Sequence, residues 1–282
     1  MATRNDFENS YENKWCPGCG NFAILDSMKD AFAAMGLSPE TLLLISGIGQ
    51  AAKTPHFMRC NMFHTLHGRA LPVATGAKVA NHDLNILVNS GDGDCYGEGG
   101  NHFLNAIRRN VNITLLVHNN KIYGLTKGQA SPTTDMGMVT KMQRHGVISE
   151  SFNPLAVALA MKCGFVARGF SGDKKQLSGL IQDAMTFKGF AMIDILQPCV
   201  TFNKVNTFAW FKERVYDLAA TGYAPDDYLK AFEVSQEWEE KIPTGIIFKK
   251  QRPAFTEKIE GLGSKTLISQ TWNPEKIQTV LN

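Results

Sequence analysis

Two short segments carry the residue types best suited to chemistry: Gly91-Asp92-Gly93-Asp94 and Asn119-Asn120, with 28 positions from Asp92 to Asn120. Each closes an apolar run of strand character. A magnesium ion that clamps a diphosphate needs hard oxygen ligands in a near-octahedral array, with phosphate oxygens and water completing the shell. A carboxylate from one strand end, an amide oxygen from the next and a backbone carbonyl two residues further on supply such a face. The glycines beside Asp92 let the backbone approach phosphates, and a helix beginning near Gly99 or Gly100 is expected to aim its amino-terminal N–H groups at them. Seen singly, Gly-Asp-Gly is a common tight turn and Asn-Asn a common loop. Their pairing at successive strand ends is what points to a bound diphosphate.

The cysteines form a second group. Cys16 and Cys19 make a CxxC unit, whereas Cys60, Cys95, Cys163 and Cys199 are scattered, and six in 282 residues are too sparse for a secreted disulfide scaffold. Taken alone, Cys16 and Cys19 fit a zinc knuckle, an unliganded pair or part of a larger thiolate set. Cys95 and Cys163 read as buried thiols in packing roles.

These residues need elements to position them. Apolar runs ending in glycine or small polar residues alternate with segments of helical period, the pattern of an α/β domain with a mainly parallel sheet and helices on both faces. The strands are expected at about Thr41 to Ser46, Leu84 to Ser90, Ile113 to His118, Phe165 to Arg168 and Ala191 to Leu196. The helices are expected at Asn21 to Met35, Gly99 to Arg109, Pro154 to Cys163 and Lys175 to Phe187. Ligands gather beyond the carboxyl ends of strands in such sheets, so the loops after Ser46, Ser90 and His118 are where chemistry belongs. From about Asn203 the rhythm gives way to Phe208, Trp210, Phe211, Trp238 and mixed charge. The expected division is therefore a cofactor-binding α/β domain over 1–202, with the CxxC segment at its start, and a carboxy-terminal extension over 203–282 that packs on a partner subunit.

Composition narrows the function. With 44% hydrophobic and 20% charged residues the chain can bury a substantial core, and a net charge of +3 leaves no basic stripe for nucleic acid. No apolar run reaches the roughly 18 residues of a membrane span, and residues 1–15 show no export signal. A cytoplasmic location is expected.

The Gly-Asp-Gly and Asn-Asn pair resembles the diphosphate-binding signature of thiamine-diphosphate enzymes. That resemblance implies the thiamine-diphosphate-binding fold of the diphosphate-binding type. It also implies Asp92, Asn120 and the carbonyl of Ile122 as magnesium ligands, and Gly91, Gly93, Asp94, His67, Gly124, Leu125 and Thr126 around the cofactor. Further segments extend the likeness to about Arg252: Trp15-Cys16-Pro17-Gly18-Cys19-Gly20, Ser46-Gly47-Ile48-Gly49, Phe63 through Pro72, Gly99-Gly100-Asn101-His102, Tyr123 through Gln129, and Pro198 through Asn203. Together they resemble the β subunits of 2-oxoacid:ferredoxin oxidoreductases. The resemblance implies coenzyme A-dependent oxidative decarboxylation of a 2-oxoacid, with electrons relayed by a 4Fe-4S cluster to ferredoxin. It further implies an α subunit that completes the cofactor site.

Cluster ligands carried over from the family fall on Cys16, Cys19, Cys199 and a cysteine directly after Ser46-Gly47-Ile48-Gly49, where this chain has Gln50. Thiolate sulfur suits iron, and an amide is a poor substitute. Three arrangements are open: Cys60 reaches the cluster from the following loop, an exogenous ligand completes a three-cysteine site, or no cluster is held. Cys60 is the favoured expectation.

Small 2-oxoacids are anions and call for cationic or amide donors. Arg69, Lys53 and Lys127 lie in the expected active-site loops, and His64 and His67 are placed to bond the cofactor or a developing oxyanion. Two lysines suit a dicarboxylic substrate and favour 2-oxoglutarate over pyruvate, although loop lysines are commonly solvated and either histidine could simply tie down a loop. Two rival functions stand beside this one. They are a non-oxidative thiamine-diphosphate decarboxylase or synthase subunit, which has no use for Cys16, Cys19 and Cys199, and a non-catalytic assembly subunit that has lost the cofactor.

Overall fold

A strand with helices on both sides must bury both rows of side chains, and so reads as continuously apolar. Strand β4 (Ile113–Asn119) shows this: every residue is buried. Ile113, Leu115 and Val117 enter one core cluster and Leu116 the other. The computed structural model describes residues 2–259, 262 and 265–271. The strands around β4 are β1 (Leu42–Ser46), β2 (Asn61–His64), β3 (Asn85–Gly91), a small hairpin of β5 (Ile122–Tyr123) and β6 (Gln129–Ala130), β7 (Phe165–Phe170), β8 (Phe190–Leu196), β9 (Val215–Asp217) and β10 (Ile242–Lys249). Eight of them form one sheet in the order β2-β1-β3-β4-β8-β7-β10-β9, parallel throughout except where β10 runs against β7.

Helices cover both faces. α1 (Gly20–Ala34) and α5 (Lys174–Thr186) pack Ile24, Met28, Phe32, Leu177 and Ile181 on one side. On the other side lie α2 (Ala70–Ala80), α3 (Gly100–Arg109), α4 (Pro154–Ala160) and α7 (Tyr228–Ser235). The short α6 (Phe208–Lys212) buries Phe211 with Phe170, Leu196 and Ile242.

Parallel register decides what meets at the carboxyl ends. Ser46 lies opposite Asn89, Gly91 opposite His118, and Asn119 opposite Leu196. The loops after β1, β3, β4 and β8 therefore emerge side by side, carrying Gln50, Asp92, Asn120 and Cys199.

The central strands and the helices α1, α3, α4 and α5 lie within a few residues of their expected places. Edge strand β2 is absent from the sequence expectation because all four of its residues are exposed and give no alternation. Helix α2 is obscured by Pro72 and Gly76; Pro72 is tolerated in the first turn, where amide hydrogens lack intrahelical partners anyway. The region expected as a carboxy-terminal extension from 203 adds strands to the same sheet: β10 enters beside β7 and β9 pairs with β10. Residues 272–282 of that extension lie outside the described residues.

One buried residue gives the fold a pH dependence. His118, fully buried on β4, has its Nδ1 2.8 Å from Asn21 Oδ1, and burial pushes its pKa down to about 3. The unfolded chain binds this proton below about pH 6.5 and the folded chain does not, so the contribution is present above that pH and lost as pH falls. Between pH 7.5 and pH 5, urea denaturation should show a stability loss of about 2 kcal/mol from this group. The variant His118→Asn, which keeps a donor to Asn21, should remove that part of the slope; an unchanged slope would contradict the assignment.

Candidate active site

Asp92 directly follows β3 and is 1% exposed. Its Oδ2 accepts from Ser131 Oγ at 2.5 Å and Thr133 Oγ1 at 2.6 Å, which orients the carboxylate. Burial pushes its pKa up to about 6, against the lowering effect of those two hydroxyls. A buried carboxylate of this kind is short of positive charge, and a divalent cation supplies it. Asn119 and Asn120 divide their work. Asn119 turns into the sheet, where its Nδ2 donates to Asp194 Oδ1 at 3.1 Å and its Oδ1 accepts from Thr133 at 2.8 Å. Asn120 faces the loop cavity, with its Oδ1 accepting from the Ile122 amide at 3.0 Å.

That cavity is lined by Gly91, Asp92, Gly93, Asp94, His67, Asn120, Ile122, Gly124, Leu125 and Thr126, so the structure brings these ten expected residues together. It adds Ile48, Gly49, Gln50, Ala51 and Tyr123. Carboxylate, amide oxygen and Ile122 on one wall form a hard-oxygen donor set that fits magnesium and a diphosphate. A side chain at Gly93 would strike the Tyr123 ring, whose Cε1 would lie 2.3 Å from an added Cβ. Gly99 and Gly100 do not line the cavity. The chain first makes a helical turn over Gly93–Glu98, and the Gly99 amide is bonded to Asp94 O, which corrects the expected role of the helix beginning there.

Asp94 is a clasp between loops. Its Oδ1 accepts from Ile48 N at 3.0 Å and Gly68 N at 2.7 Å and lies 2.7 Å from His67 Nδ1. Its Oδ2 accepts from Ser90 Oγ. Gly47 must lack a side chain because its Cβ would sit 1.8 Å from Asp94 Oδ2. Ser131 and Thr133 escape the sequence reading; their only signal is a hydroxyl-rich Ser-Pro-Thr-Thr turn shortly after Gly128-Gln129.

The other expected residues are placed differently. His64 has its Nδ1 2.8 Å from Ser46 Oγ, with its pKa lowered by burial and then by His56. Arg69 donates to the Glu98 carbonyl at 3.1 Å, half-buried Lys53 lies in the helical turn after Gln50, and exposed Lys127 takes a left-handed φ of 74°. None of these four lines the cavity in the chain by itself.

Beside this cavity lies a second one lined by Trp15, Cys16, Cys19, Asn21, Gln50, Gln197 and Cys199, sharing Gln50, Asn120 and Gly124 with the first. Trp15 Nε1 donates to the Gln50 carbonyl at 2.8 Å, and the Gly20 amide to the Pro198 carbonyl at 3.4 Å, which ties the three segments together. Burial pushes the Cys19 thiol up to about 11, with nearby Cys199 and Cys16 adding to the effect. Asn21 Nδ2, Gln50 Oε1 and Gln197 Oε1 are buried there without hydrogen-bond partners. Three thiols, Cys16, Cys19 and Cys199, thus line one cavity together with the Gln50 amide.

The expectation for Cys60 is corrected. It precedes β2, whose Asn61 pairs with Leu43 near the start of β1, so it sits at the end of the sheet opposite to Gln50. Its thiol packs among apolar residues, and burial pushes it up to about 12.

This arrangement of strand ends defines the cofactor-binding half of a thiamine-diphosphate enzyme. The family described as "Thiamine pyrophosphate enzyme, C-terminal TPP binding domain" matches residues 46–195, and the family of the carboxy-terminal part of the pyruvate ferredoxin oxidoreductase beta subunit matches residues 199–264. The chain is 46% identical over 251 residues to the 2-oxoacid:ferredoxin oxidoreductase subunit beta of Saccharolobus solfataricus, covering 85% of this chain and 82% of that one. It is 32% identical to the 2-oxoglutarate synthase subunit KorB of Methanocaldococcus jannaschii, covering 89% and 93%. A 2-oxoglutarate:ferredoxin oxidoreductase from Magnetococcus marinus, solved with 2-oxoglutarate, coenzyme A and succinyl-CoA bound, superposes with a TM-score of 0.93 at 34% identity, covering 100% of this chain and 96% of that one. The chain belongs to the β subunits of the 2-oxoacid:ferredoxin oxidoreductase family.

The clasp can be tested directly. Asp94→Asn should cost about 1–3 kcal/mol of stability, because buried amides lose a charged acceptor. Hydrogen exchange at the Ile48 and Gly68 amides should accelerate selectively; unchanged protection there would refute the role.

Proposed function

We propose that the chain binds magnesium and thiamine diphosphate at Asp92, Asn120 and Ile122, and oxidatively decarboxylates a 2-oxoacid to its coenzyme A thioester. The substrate is 2-oxoglutarate in preference to pyruvate. The supporting observation is the meeting of the buried, hydroxyl-oriented Asp92 carboxylate with Asn120 and Ile122 on one cavity wall. Thiamine diphosphate supplies the carbon nucleophile and the sink for the electrons left when carbon dioxide departs.

The chain's own residues bind and orient. Ser131 and Thr133 fix Asp92, and Asn203 Nδ2 holds the Asn120 carbonyl at 3.2 Å. His67, with Nδ1 against Asp94 and Nε2 3.6 Å from Glu98, is held to place a proton at the cavity mouth. Lys53, Lys127 and Arg69 are assigned to the substrate side, where a dianionic acid needs counter-charge, and His64, whose pKa burial lowers, is assigned there as a neutral hydrogen-bonding group. Relatives named for 2-oxoglutarate support the preference.

In this reading the site is closed by an α subunit. Edge strand β2 and the loop after it present Met62, Phe63 and Leu66 at 46%, 53% and 78% exposure, an apolar strip beside His64 and His67 suited to burial by a partner. Cys16, Cys19 and Cys199, which line one cavity, would hold an iron–sulfur cluster, and that group would supply a one-electron relay between the cofactor site and ferredoxin. The free cysteines suit the reducing cytoplasm. Among the described residues no helix is long and apolar enough to cross a membrane.

Two measurements test this. Calorimetric titration with thiamine diphosphate and magnesium should show binding that Asp92→Ala abolishes; retained binding would remove Asp92 from the site. An anaerobic assay of the complex co-purified with its partner, across a panel of 2-oxoacids with coenzyme A and ferredoxin, should favour 2-oxoglutarate in kcat/KM. Carbon dioxide release without ferredoxin reduction would instead establish non-oxidative chemistry.

A further inference from the structure

The cavity lined by Cys16, Cys19 and Cys199 is also lined by Gln50, at the sequence position where the family resemblance implies a fourth cysteine. Gln50 Oε1 is buried with no hydrogen-bond partner, as are Asn21 Nδ2 and Gln197 Oε1 around the same space. Buried amide atoms are rarely left without partners, and three orphans grouped about three thiols point to a bound group. Cys60, the nearest cysteine in sequence, lies at the opposite end of β1 and is held in an apolar cluster.

We infer that this chain holds a cubane cluster by three thiolates, Cys16, Cys19 and Cys199, with the fourth iron facing Gln50 and carrying no thiolate. The inference rests on the proposed function's cluster and specifies its ligand set. A neutral amide oxygen is a weak ligand for iron beside thiolate sulfur. The iron at the Gln50 corner is therefore the exchangeable one. Gln50, Asn120 and Gly124 also line the cofactor cavity, so the corner without a thiolate is the one on the cofactor side. Oxidation at that corner converts [4Fe-4S]2+ to [3Fe-4S]+ with release of one Fe2+ and one electron, the electron passing to an added one-electron oxidant such as ferricyanide. Fe2+ and a reductant reverse the step.

The test uses the full chain, reconstituted anaerobically with iron and sulfide and then treated with ferricyanide. Iron per chain and the low-temperature EPR spectrum are read. The wild type should lose about one iron in four and develop a three-iron signal, both reversed by Fe2+ with dithionite. Gln50→Cys should keep its full iron complement and show no such signal. Cys60→Ser should behave as the wild type. A wild type that keeps all its iron, a Cys60→Ser variant that loses the cluster, or a Gln50→Cys variant indistinguishable from the wild type would each overturn the inference. If neither wild type nor Gln50→Cys takes up iron, the cluster falls altogether. Calorimetric binding of thiamine diphosphate then reports separately whether the cofactor site stands.

Discussion

The parallel register of β1, β3, β4 and β8 is the constraint on which everything else depends. With Ser46 level with Asn89, Gly91 with His118 and Asn119 with Leu196, four loops far apart in sequence leave the sheet as neighbours. A slip of one residue in any pair would turn a cavity-lining side chain into the core and a core side chain into the loop. The buried alternation of β4, with Ile113, Leu115 and Val117 on one face and Leu116 on the other, prevents that slip.

Polar contacts then lock the loops. Asp94 draws the amides of Ile48 and Gly68 to one carboxylate, while Ser131 and Thr133 bring a distant turn onto Asp92. Behind them, Asp194 accepts from Tyr96 at 2.9 Å and from Asn119, and lies 3.8 Å from the Arg168 guanidinium. Burial raises the pKa of Asp194, and Arg168 opposes the rise. Trp238, from the carboxy-terminal region, stacks over Lys121 at 4.0 Å and faces Arg168 at 5.4 Å. The region beyond 203 thus supports the site from behind within the same sheet.

The central strands are legible in the sequence because burial on both faces writes an unbroken apolar run. Asp92 and Asn120 are legible because each ends such a run. Strand β2 is hidden, being exposed on every residue, and so is the place of β10 in the sheet, which follows from long-range pairing with β7. Ser131 and Thr133 are hidden for the same reason: nothing local tells a hydroxyl in a turn that it will meet a carboxylate 39 or 41 positions earlier. Cys60 misleads because proximity in sequence to Gln50 does not reveal that the chain has crossed to the other end of β1.

The most direct test of the central claim is a crystal structure of the complex grown with thiamine diphosphate and magnesium. One metal ion should lie about 2.1 Å from oxygens of Asp92, Asn120 and Ile122, bridging to both phosphates. Diphosphate density elsewhere, or a metal that does not touch Asp92 and Asn120 together, would contradict it.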